Sequence, residues 1–294
     1  MLVCSAANAQ PSAPVILISV DTLRADHLGC YQAARGSTPH IDSIARNGTL
    51  FSQMSALVPL TLHSHVALFT STYPFANGVE DHAIPFSGAT TLATVLKNAG
   101  YLTAAFVGSF VLDQRFGLSR DFDAYDTPFD LHNKTVADVG DLKRPGAQVA
   151  AAMHWFDQNV SSPFLLFLHL YDLHTPYDLP PEPRLRCGEA GYEAELTYVD
   201  RVLGGFLAFL ERRGLLNKPL IMFTSDHGEG LNEHGESTHG YFVYESTLHV
   251  PLIFHWPAGS KRVSPDGIAE RASLLHVAPT ILDAVGLTER DDGS

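Results

Sequence analysis

The sequence of 294 residues has little basic charge and little cysteine. Nineteen Lys and Arg residues stand against 32 Asp and Glu residues, which gives a net charge of −13. Nucleic acid is therefore not expected as a partner, because no basic stripe is present to release its counterions. Three cysteines are too few for a disulfide scaffold. No apolar run reaches about 18 residues, so no transmembrane span is predicted.

The first ten residues are similar to the end of a secretory signal peptide. Residues 2–3 are apolar, and Ala7-Asn8-Ala9 fits a cleavage pattern of small residues. We expect residues 1–10 to be a signal-peptide remnant and the protein to be periplasmic or secreted. The alternative is a short unstructured tail.

Apolar strands and amphipathic helices alternate along the rest of the chain. Strands are predicted at 14–20, 101–107, 164–170, 219–223 and 250–256, and helices at 38–45, 62–69, 90–99, 146–158, 193–213 and 272–285. The polar stretch 110–143 is expected to be a surface excursion. This alternation predicts an α/β fold with a mainly parallel central sheet sandwiched by helices.

The stretch 224–240 places three histidines and four carboxylates directly after an apolar strand, with four glycines among them. A loop of this composition needs a positive partner, and a divalent cation is the simplest one. A solvated acidic loop is the alternative. Asp226 and His227 count against it because they sit against the apolar run, where water is scarce.

Three other stretches place reactive or metal-binding residue types at a strand end or a helix start. Asp21 ends the first strand, and Asp172 and His174 follow the strand at 164–170. Thr61 precedes a helix, where the helix dipole favours an anion, and His65 lies in the same first turn. Each residue alone could serve a turn or a cap. Because open α/β sheets bind ligands beyond the carboxyl ends of their strands, we expect one shared site.

Six motifs occur in an order typical of a known family. They read ILISVDTLRADHLGCY, TPHIDSIARNG, PLTLHSHVALFTSTYP, FLHLYDLHTPY, SDHGEGLNEHG and YESTLHVPLI. With these motifs the sequence resembles the sulfatase family of the alkaline phosphatase superfamily. The resemblance implies an alkaline phosphatase/sulfatase-like catalytic domain over residues 14–288. The C-terminal part usual in such proteins is curtailed, so we expect a fragment or a short member.

The resemblance implies a role for several residues. Asp21 matches the first metal-binding aspartate, and Asp226 and His227 match the late pair that completes the metal site. Thr61 falls at the position of the nucleophile and is expected to bind the same metal.

Further roles follow from the same resemblance. His174 matches the histidine that contacts the oxyanion of the ester. His239 lies where sulfatases usually carry a lysine toward the sulfate. Asp172, His174 and His239 are expected to bind either a second metal or the substrate.

The nucleophile motif departs from that of the classical sulfatases. Those enzymes carry a Cys or Ser that is oxidised to formylglycine, whereas oxidation of Thr61 would give a ketone, so no formylglycine is expected. His65 replaces the arginine of that motif and is expected to bind substrate. Thr22 replaces the second metal-binding aspartate, and residues 108–111 lack the lysine and histidine of the family.

A threonine nucleophile is similar to that of the phosphoryl-transfer relatives, among them nucleotide phosphodiesterases, phosphoethanolamine transferases and lipoteichoic acid synthases. These relatives imply one or two divalent ions, with Zn or Mn favoured and Ca a third candidate. We expect a metal-dependent hydrolase that cleaves a phosphate or sulfate ester through Thr61, with phosphate favoured. The alternatives are a sulfatase acting without formylglycine, a phosphoethanolamine-type transferase, and a non-catalytic binding relative. The expected substrate is the ester of a small molecule, a glycan or a lipid.

Overall fold

The computed structural model describes residues 13–32, 38–79, 84–127, 146–159, 163–179, 191–260 and 266–287. The predicted signal-peptide remnant at 1–10 lies outside these ranges. Within them, no helix combines the length and the hydropathy that crossing a bilayer requires.

The described residues contain nine strands, which form two sheets. They are β1 (Val15–Val20), β2 (Thr49–Phe51), β3 (Met54–Ser55), β4 (Leu102–Val107), β5 (Ala124–Asp126), β6 (Phe164–Leu170), β7 (Leu220–Thr224), β8 (Leu252–His255) and β9 (Ala272–Ser273). Seven of them make a sheet in the order β2-β8-β7-β1-β6-β4-β5, and β3 pairs with β9. The five strands from β7 to β5 run parallel, and β8 and β2 pair antiparallel at one edge. The predicted mainly parallel sheet is confirmed.

Helices cover both faces of the large sheet. They are α1 (Pro39–Arg46), α2 (Thr61–Thr70), α3 (Pro74–Asn77), α4 (Leu92–Asn98), α5 (Ala147–Asn159), α6 (Tyr192–Arg212), α7 (Glu245–Leu248) and α8 (Val277–Ala284). Val15 and Leu17 of β1 pack on the face of α2, α4 and α8, while Ile16 and Ile18 pack on the face of α1, α5 and α6. Because β1 is buried on both faces, it has a continuous apolar sequence rather than an alternating one.

Two predicted elements differ from the structure. The helix predicted at 272–285 begins instead with β9 and a 3₁₀ turn, Leu274–His276, because β9 pairs with β3. The described part of the predicted excursion at 110–143 is not confined to the surface. It contains three 3₁₀ turns and β5, and it buries Leu112 and Phe116 in the core.

Candidate functional site

The sequence predicts that four stretches of the chain contribute side chains to one site. Three of these stretches meet at the carboxyl edge of the large sheet. Asp21 follows β1, Thr61 begins α2, and Asp226 and His227 follow β7. Thr61 Oγ1 lies 3.4 Å from Asp21 Oδ2 and 3.3 Å from His227 Nε2. His227 Nε2 also lies 3.4 Å from Asp226 Oδ2. The chain thus brings a hydroxyl, two carboxylates and an imidazole within contact distance of one another.

Thr61 is the first residue of α2 and not its cap. Leu60 occupies the N-cap position, and no side chain caps the helix. The Thr61 hydroxyl is therefore free of the capping role that the sequence left open. It lies, almost fully buried, at the positive end of the helix dipole.

Asp21 and Asp226 are fully buried carboxylates without enough partners. Asp21 Oδ1 and Asp226 Oδ2 each lack a hydrogen bond. Burial raises the pKa of both carboxyl groups, and for Asp226 the nearby Asp21 carboxylate raises it further. Within the described residues, the ion-pair contacts of both carboxylates are to histidines. Two buried carboxylates in such surroundings need a cation.

The donor set fits a divalent ion. Asp21, Asp226 and His227 offer ligand atoms that lie within 4.8 Å of one another. His227 Nδ1 donates to the carbonyl of Gly228 at 2.9 Å, which directs the lone pair of Nε2 toward the carboxylates. Burial lowers the pKa of His227 and keeps the imidazole neutral. Two carboxylates and one imidazole suit Zn or Mn better than Ca, which prefers oxygen ligands alone.

His65 lies fully buried behind the carboxylates, one helical turn after Thr61. Its Nδ1 donates to the Thr61 carbonyl at 2.7 Å, and Ser19 Oγ donates to its Nε2 at 3.0 Å. Both ring nitrogens therefore have protein partners, and burial lowers the pKa of His65 to about 4. These contacts hold the first turn of α2 against β1. Substrate binding by His65 stays a prediction.

His169 is a site residue that the sequence reasoning missed. It sits on β6 beside Ser19 of β1, on the sheet face that α2 covers. The Gly108 amide donates to its Nδ1 at 3.4 Å, which leaves Nε2 as the protonated nitrogen, 3.4 Å from Asp21 Oδ2. The sequence contained one indication of this role, since His169 is the one polar residue in the apolar run of β6. His169, His65 and Asp226 also offer possible metal-ligand atoms that lie within 4.8 Å of one another. His65 is a poor metal ligand, however, because both of its ring nitrogens already have hydrogen-bond partners.

Glu229 and His239 form a second acid–imidazole pair near the first. His239 Nδ1 donates to Glu229 Oε1 at 3.1 Å, and the Tyr177 hydroxyl donates to Glu229 Oε2 at 3.0 Å. Burial lowers the pKa of His239, but the bond to Glu229 outweighs it, so the pKa is raised. The His239 ring centroid lies 4.3 Å from that of His227 and 5.0 Å from that of His174. The bond to Glu229 therefore favours the protonated form of His239.

The two residues beyond β6 have different surroundings. His174 Nδ1 donates to the Thr175 carbonyl at 2.7 Å, so the lone pair of its Nε2 remains available. Asp172 accepts a hydrogen bond from the Gly146 amide at 3.1 Å, next to the start of α5. In the described part of the chain, Asp172, His174 and His239 do not form a close group of ligand atoms.

Thr22 takes part in the local structure of the site. Its φ of 59° is unusual for a β-branched residue. Its hydroxyl donates to the Leu173 carbonyl at 3.0 Å, and its own carbonyl accepts from the Tyr192 hydroxyl at 2.9 Å. The hydroxyl thus ties the loop after β1 to the loop after β6.

Arg24, Asp26 and Glu233 form an arginine cluster beside the site. The Arg24 guanidinium binds both oxygens of Asp26, at 2.7 and 2.9 Å, and reaches Glu233 Oε1 at 3.0 Å. It also donates to the carbonyl of Glu229 at 3.2 Å. The cluster holds the loop after β7 against the loop after β1.

Comparison with known proteins identifies relatives of the whole chain. The model of the family described as Sulfatase matches residues 14–287. Mouse steryl-sulfatase is 25% identical over 404 residues, covering 96% of this chain and 64% of the relative. Human arylsulfatase A is 25% identical over 331 residues, covering 92% of this chain and 64% of the relative. The chain thus spans about two thirds of the length of these relatives.

Solved structures share the fold. The phosphonate monoester hydrolase of Agrobacterium radiobacter superposes with a TM-score of 0.77 at 19% identity, covering 94% of this chain and 74% of that chain. A structure solved with its substrate D-glucosamine-2-N,6-O-disulfate gives a TM-score of 0.76 at 19% identity and covers 96% of this chain and 78% of that chain. Because the sequence identity is 19% in both cases, this similarity shows only that the fold is shared.

Proposed function

The chain belongs to the sulfatase family, and on that premise we propose that it is a metal-dependent hydrolase that cleaves a phosphate or sulfate ester through Thr61, with phosphate favoured. One observation supports this proposal most directly. The Thr61 hydroxyl stands at the start of α2, between Asp21 and His227, and beside two buried carboxylate oxygens that lack a partner.

Thr61 is proposed as the nucleophile, and it keeps its own hydroxyl because threonine cannot become formylglycine. Asp21, Asp226 and His227 would hold one divalent ion, whose positive charge would lower the pKa of the Thr61 hydroxyl. His65 fixes the Thr61 backbone through its 2.7 Å bond to the carbonyl, and His169 Nε2 lies 3.4 Å from Asp21 Oδ2. A second ion, which the sequence left open, is not needed for this scheme.

His239 is proposed as the acid for the leaving alcohol. The Thr61 oxygen forms a bond to phosphorus, and the bond from phosphorus to the alcohol oxygen breaks. The departing oxygen takes the proton of His239 Nε2, while Glu229 stabilises the imidazolium beforehand. His174, whose ring lies 5.0 Å from that of His239, contacts the ester oxygens. Water then gives a proton to the now neutral His239, its oxygen forms a bond to phosphorus, and the bond from phosphorus to the Thr61 oxygen breaks, which releases the acid and restores the deprotonated Thr61.

The charges of the site favour an ester with a single negative charge. Asp21 and Asp226 together carry two negative charges, which one divalent ion would cancel, and the positive charge of His239 is balanced by Glu229, so no surplus positive charge remains for a dianion. A phosphodiester, a phosphonate monoester and a sulfate monoester each carry one negative charge, whereas a phosphate monoester carries nearly two at pH 7. A phosphodiester or a phosphonate monoester is therefore the favoured phosphoryl substrate.

A sulfate monoester is the second candidate, because the named relatives include steryl-sulfatase and arylsulfatase A. Its charge fits the site equally well. The replacement of the family's arginine by His65, which is buried and already bonded on both nitrogens, weighs against it. A periplasmic or secreted location is proposed with either activity, from the signal-like residues 1–10.

The test is turnover of matched esters by the purified protein loaded with Zn²⁺, Mn²⁺ or Ca²⁺. Aryl sulfate, aryl phosphate monoester, aryl phosphodiester and aryl phosphonate are compared by kcat/KM. We expect the phosphodiester or the phosphonate to be hydrolysed best. Preference for the sulfate would establish the second candidate, and no turnover of any ester would contradict the proposal.

Two substitutions at one position supply the control. Thr61→Ala removes the hydroxyl and should abolish turnover, whereas Thr61→Ser keeps a hydroxyl and should retain part of it. Mass spectrometry of a quenched reaction should find the added phosphoryl or sulfuryl group on Thr61. Full activity of Thr61→Ala would refute its role as nucleophile.

A further inference from the structure

Four consecutive apolar side chains project from the loop after β7. These residues, Tyr241, Phe242, Val243 and Tyr244, are called the aromatic rim. Their exposed fractions are 84%, 48%, 68% and 39%. Soluble proteins seldom expose several large apolar side chains side by side unless the surface binds something.

The aromatic rim begins next to the candidate site. Tyr241 is two residues after His239, and Gly240 between them adopts a φ of 103°, which suits glycine. A Cβ placed on Gly240 would lie 3.5 Å from Leu60 Cδ2. Leu60 immediately precedes Thr61. The rim therefore begins beside both the proposed nucleophile and the proposed acid.

The backbone of the aromatic rim is held although its side chains are exposed. Glu236 Oε1, on a buried side chain, accepts from the Tyr241 amide at 2.9 Å and from the Phe242 amide at 3.3 Å. Thr247 Oγ1 donates to the Phe242 carbonyl at 3.1 Å. The Tyr244 ring stacks on His234 with centroids 4.1 Å apart. Such a surface loses little backbone entropy when it binds a ring.

The two described segments that carry Thr61 and His239 offer no basic side chain for an anionic polymer. The segments that carry Thr61 and His239 contain no Lys or Arg at any position of 47–96 or 219–260. Arg24 is nearby, but its guanidinium is bound by Asp26 and Glu233. Glu245, next to the rim, is exposed. Beside the rim, a polysulfated or polyphosphorylated chain would meet the negative charge of Glu245 and no cation from these two segments.

We propose that the aromatic rim binds the alcohol part of the ester substrate and that this part is an uncharged, apolar ring system. This inference rests on the proposed function, since it assigns the substrate class of the same site. Aromatic side chains offer a large apolar area and favourable ring stacking, and they fix a ligand without charge. The ester group would reach Thr61 while the ring lies over Tyr241 and Phe242.

The test compares two esters whose leaving groups have similar reactivity. They are the methyl phosphodiesters of 2-(2-naphthyl)ethanol and of the glucose 6-hydroxyl, both esters of primary alcohols, with the matching sulfate esters assayed in parallel. We expect the naphthyl ester to have the higher kcat/KM. The variant Tyr241→Ala/Phe242→Ala should lower it about 10- to 100-fold, while the glucose ester changes less than about twofold.

A second exposed aromatic pair provides the matched control. Tyr73 and Phe75 stack with centroids 5.3 Å apart, and they are 50% and 79% exposed. They follow the far end of α2, about 14 Å of helix away from Thr61. The variant Tyr73→Ala/Phe75→Ala removes the same kind of surface and should leave both esters unchanged.

Other outcomes would overturn the inference. Equal losses on both esters would show that the rim only supports the loop, and a loss confined to the glucose ester would show a sugar platform. A dimer that dissociates in the rim variant while both kcat/KM values stay constant would show a subunit interface.

Calorimetric binding of the naphthyl ester separates this inference from the proposed function. Binding that weakens in the rim variant supports the aromatic rim even if no ester is hydrolysed, in which case only the proposed function fails. Binding that is equal in the wild type and the rim variant overturns the inference, whatever the turnover.

Discussion

The carboxylate pair, formed by Asp21 and Asp226, lies close to the arginine cluster. The two groups bury charges of opposite sign. In the arginine cluster the buried group is the cation, with an Arg24 side chain 4% exposed, and its acidic partners Asp26 and Glu233 are 56% and 51% exposed. In the carboxylate pair the buried groups are the anions, and two of their oxygens lack partners. The arginine cluster is complete within the protein, whereas the carboxylate pair needs a ligand.

The physical reason is the cost of burying charge. A buried guanidinium that bonds to two carboxylates and a carbonyl has its donors satisfied, and the half-exposed acids keep part of their hydration. Two carboxylates buried side by side repel each other and lose their water. The arginine cluster is therefore a structural element that holds two loops together, whereas the carboxylate pair is a candidate ion-binding site.

The largest expected effect comes from breaking the carboxylate pair. Asp226→Asn should lower kcat/KM roughly 1,000-fold, because the charge that holds the ion is halved. Metal content after dialysis should fall with it. Asp26→Asn is the control from the arginine cluster, with activity within about threefold and metal content unchanged. Equal losses in the two variants would remove the distinction between the clusters.

Removal of the ion should come next in size. Chelation should lower the Tm of the wild-type protein by roughly 5–10 °C, because the bound ion stabilises only the folded state. The Tm of Asp226→Asn should respond little to the same treatment. Calorimetry with and without chelator measures the Tm of both proteins. A wild-type Tm that does not change on chelation would contradict the assignment of a bound ion to this site.

Breaking the arginine cluster should affect stability more than chemistry. Arg24→Met should cost about 1–3 kcal/mol in the free energy of unfolding, mainly through the lost bond to the Glu229 carbonyl. The cost is limited because the released acids are half-exposed and can hydrate. Urea titration measures it, with Arg24→Lys as an intermediate control. A loss of bound metal without a loss of stability would reverse the roles assigned to the clusters.

The smallest effect, taken per pH unit, is a slope of stability with pH in the metal-free protein. Burial and the Asp21 carboxylate raise the pKa of Asp226 to about 7, against 3.8 for the exposed group. Between about pH 4 and pH 7 the Asp226 carboxyl therefore binds more protons in the folded protein than in the unfolded one, whereas the buried His65, with its pKa lowered to about 4, binds fewer. The contribution of Asp226 to stability should fall as pH rises through this window, by at most about 1.4 kcal/mol per pH unit, against the opposite contribution of the histidines. In urea titrations, the free energy of unfolding of the wild type minus that of Asp226→Asn should fall with pH, and a constant difference would place the titrating group elsewhere.

Much of the fold was predictable because the strands are buried on both faces. Runs such as β1 and β6 are fully buried between helices on both faces and consist almost entirely of apolar residues, so their sequences predict strands without further information. The short strands β3 and β9 were missed, since two-residue strands carry no periodicity. The end of the chain was read as one helix for the same reason, because the pairing of β9 with β3 is a contact between distant segments.

The sequence by itself determined the family, the sheet and the residue types of the site, since motifs and periodicity are local properties. Only the tertiary structure decided which groups share a partner. It placed His169 against Asp21, engaged both nitrogens of His65, and paired Glu229 with His239. Among the described residues it also buried Asp21 Oδ1 and Asp226 Oδ2 without a hydrogen bond, while Arg24 found two acids nearby. The reason is that charge, burial and hydrogen-bond partners depend on side chains far apart in the chain, and only folding brings them together.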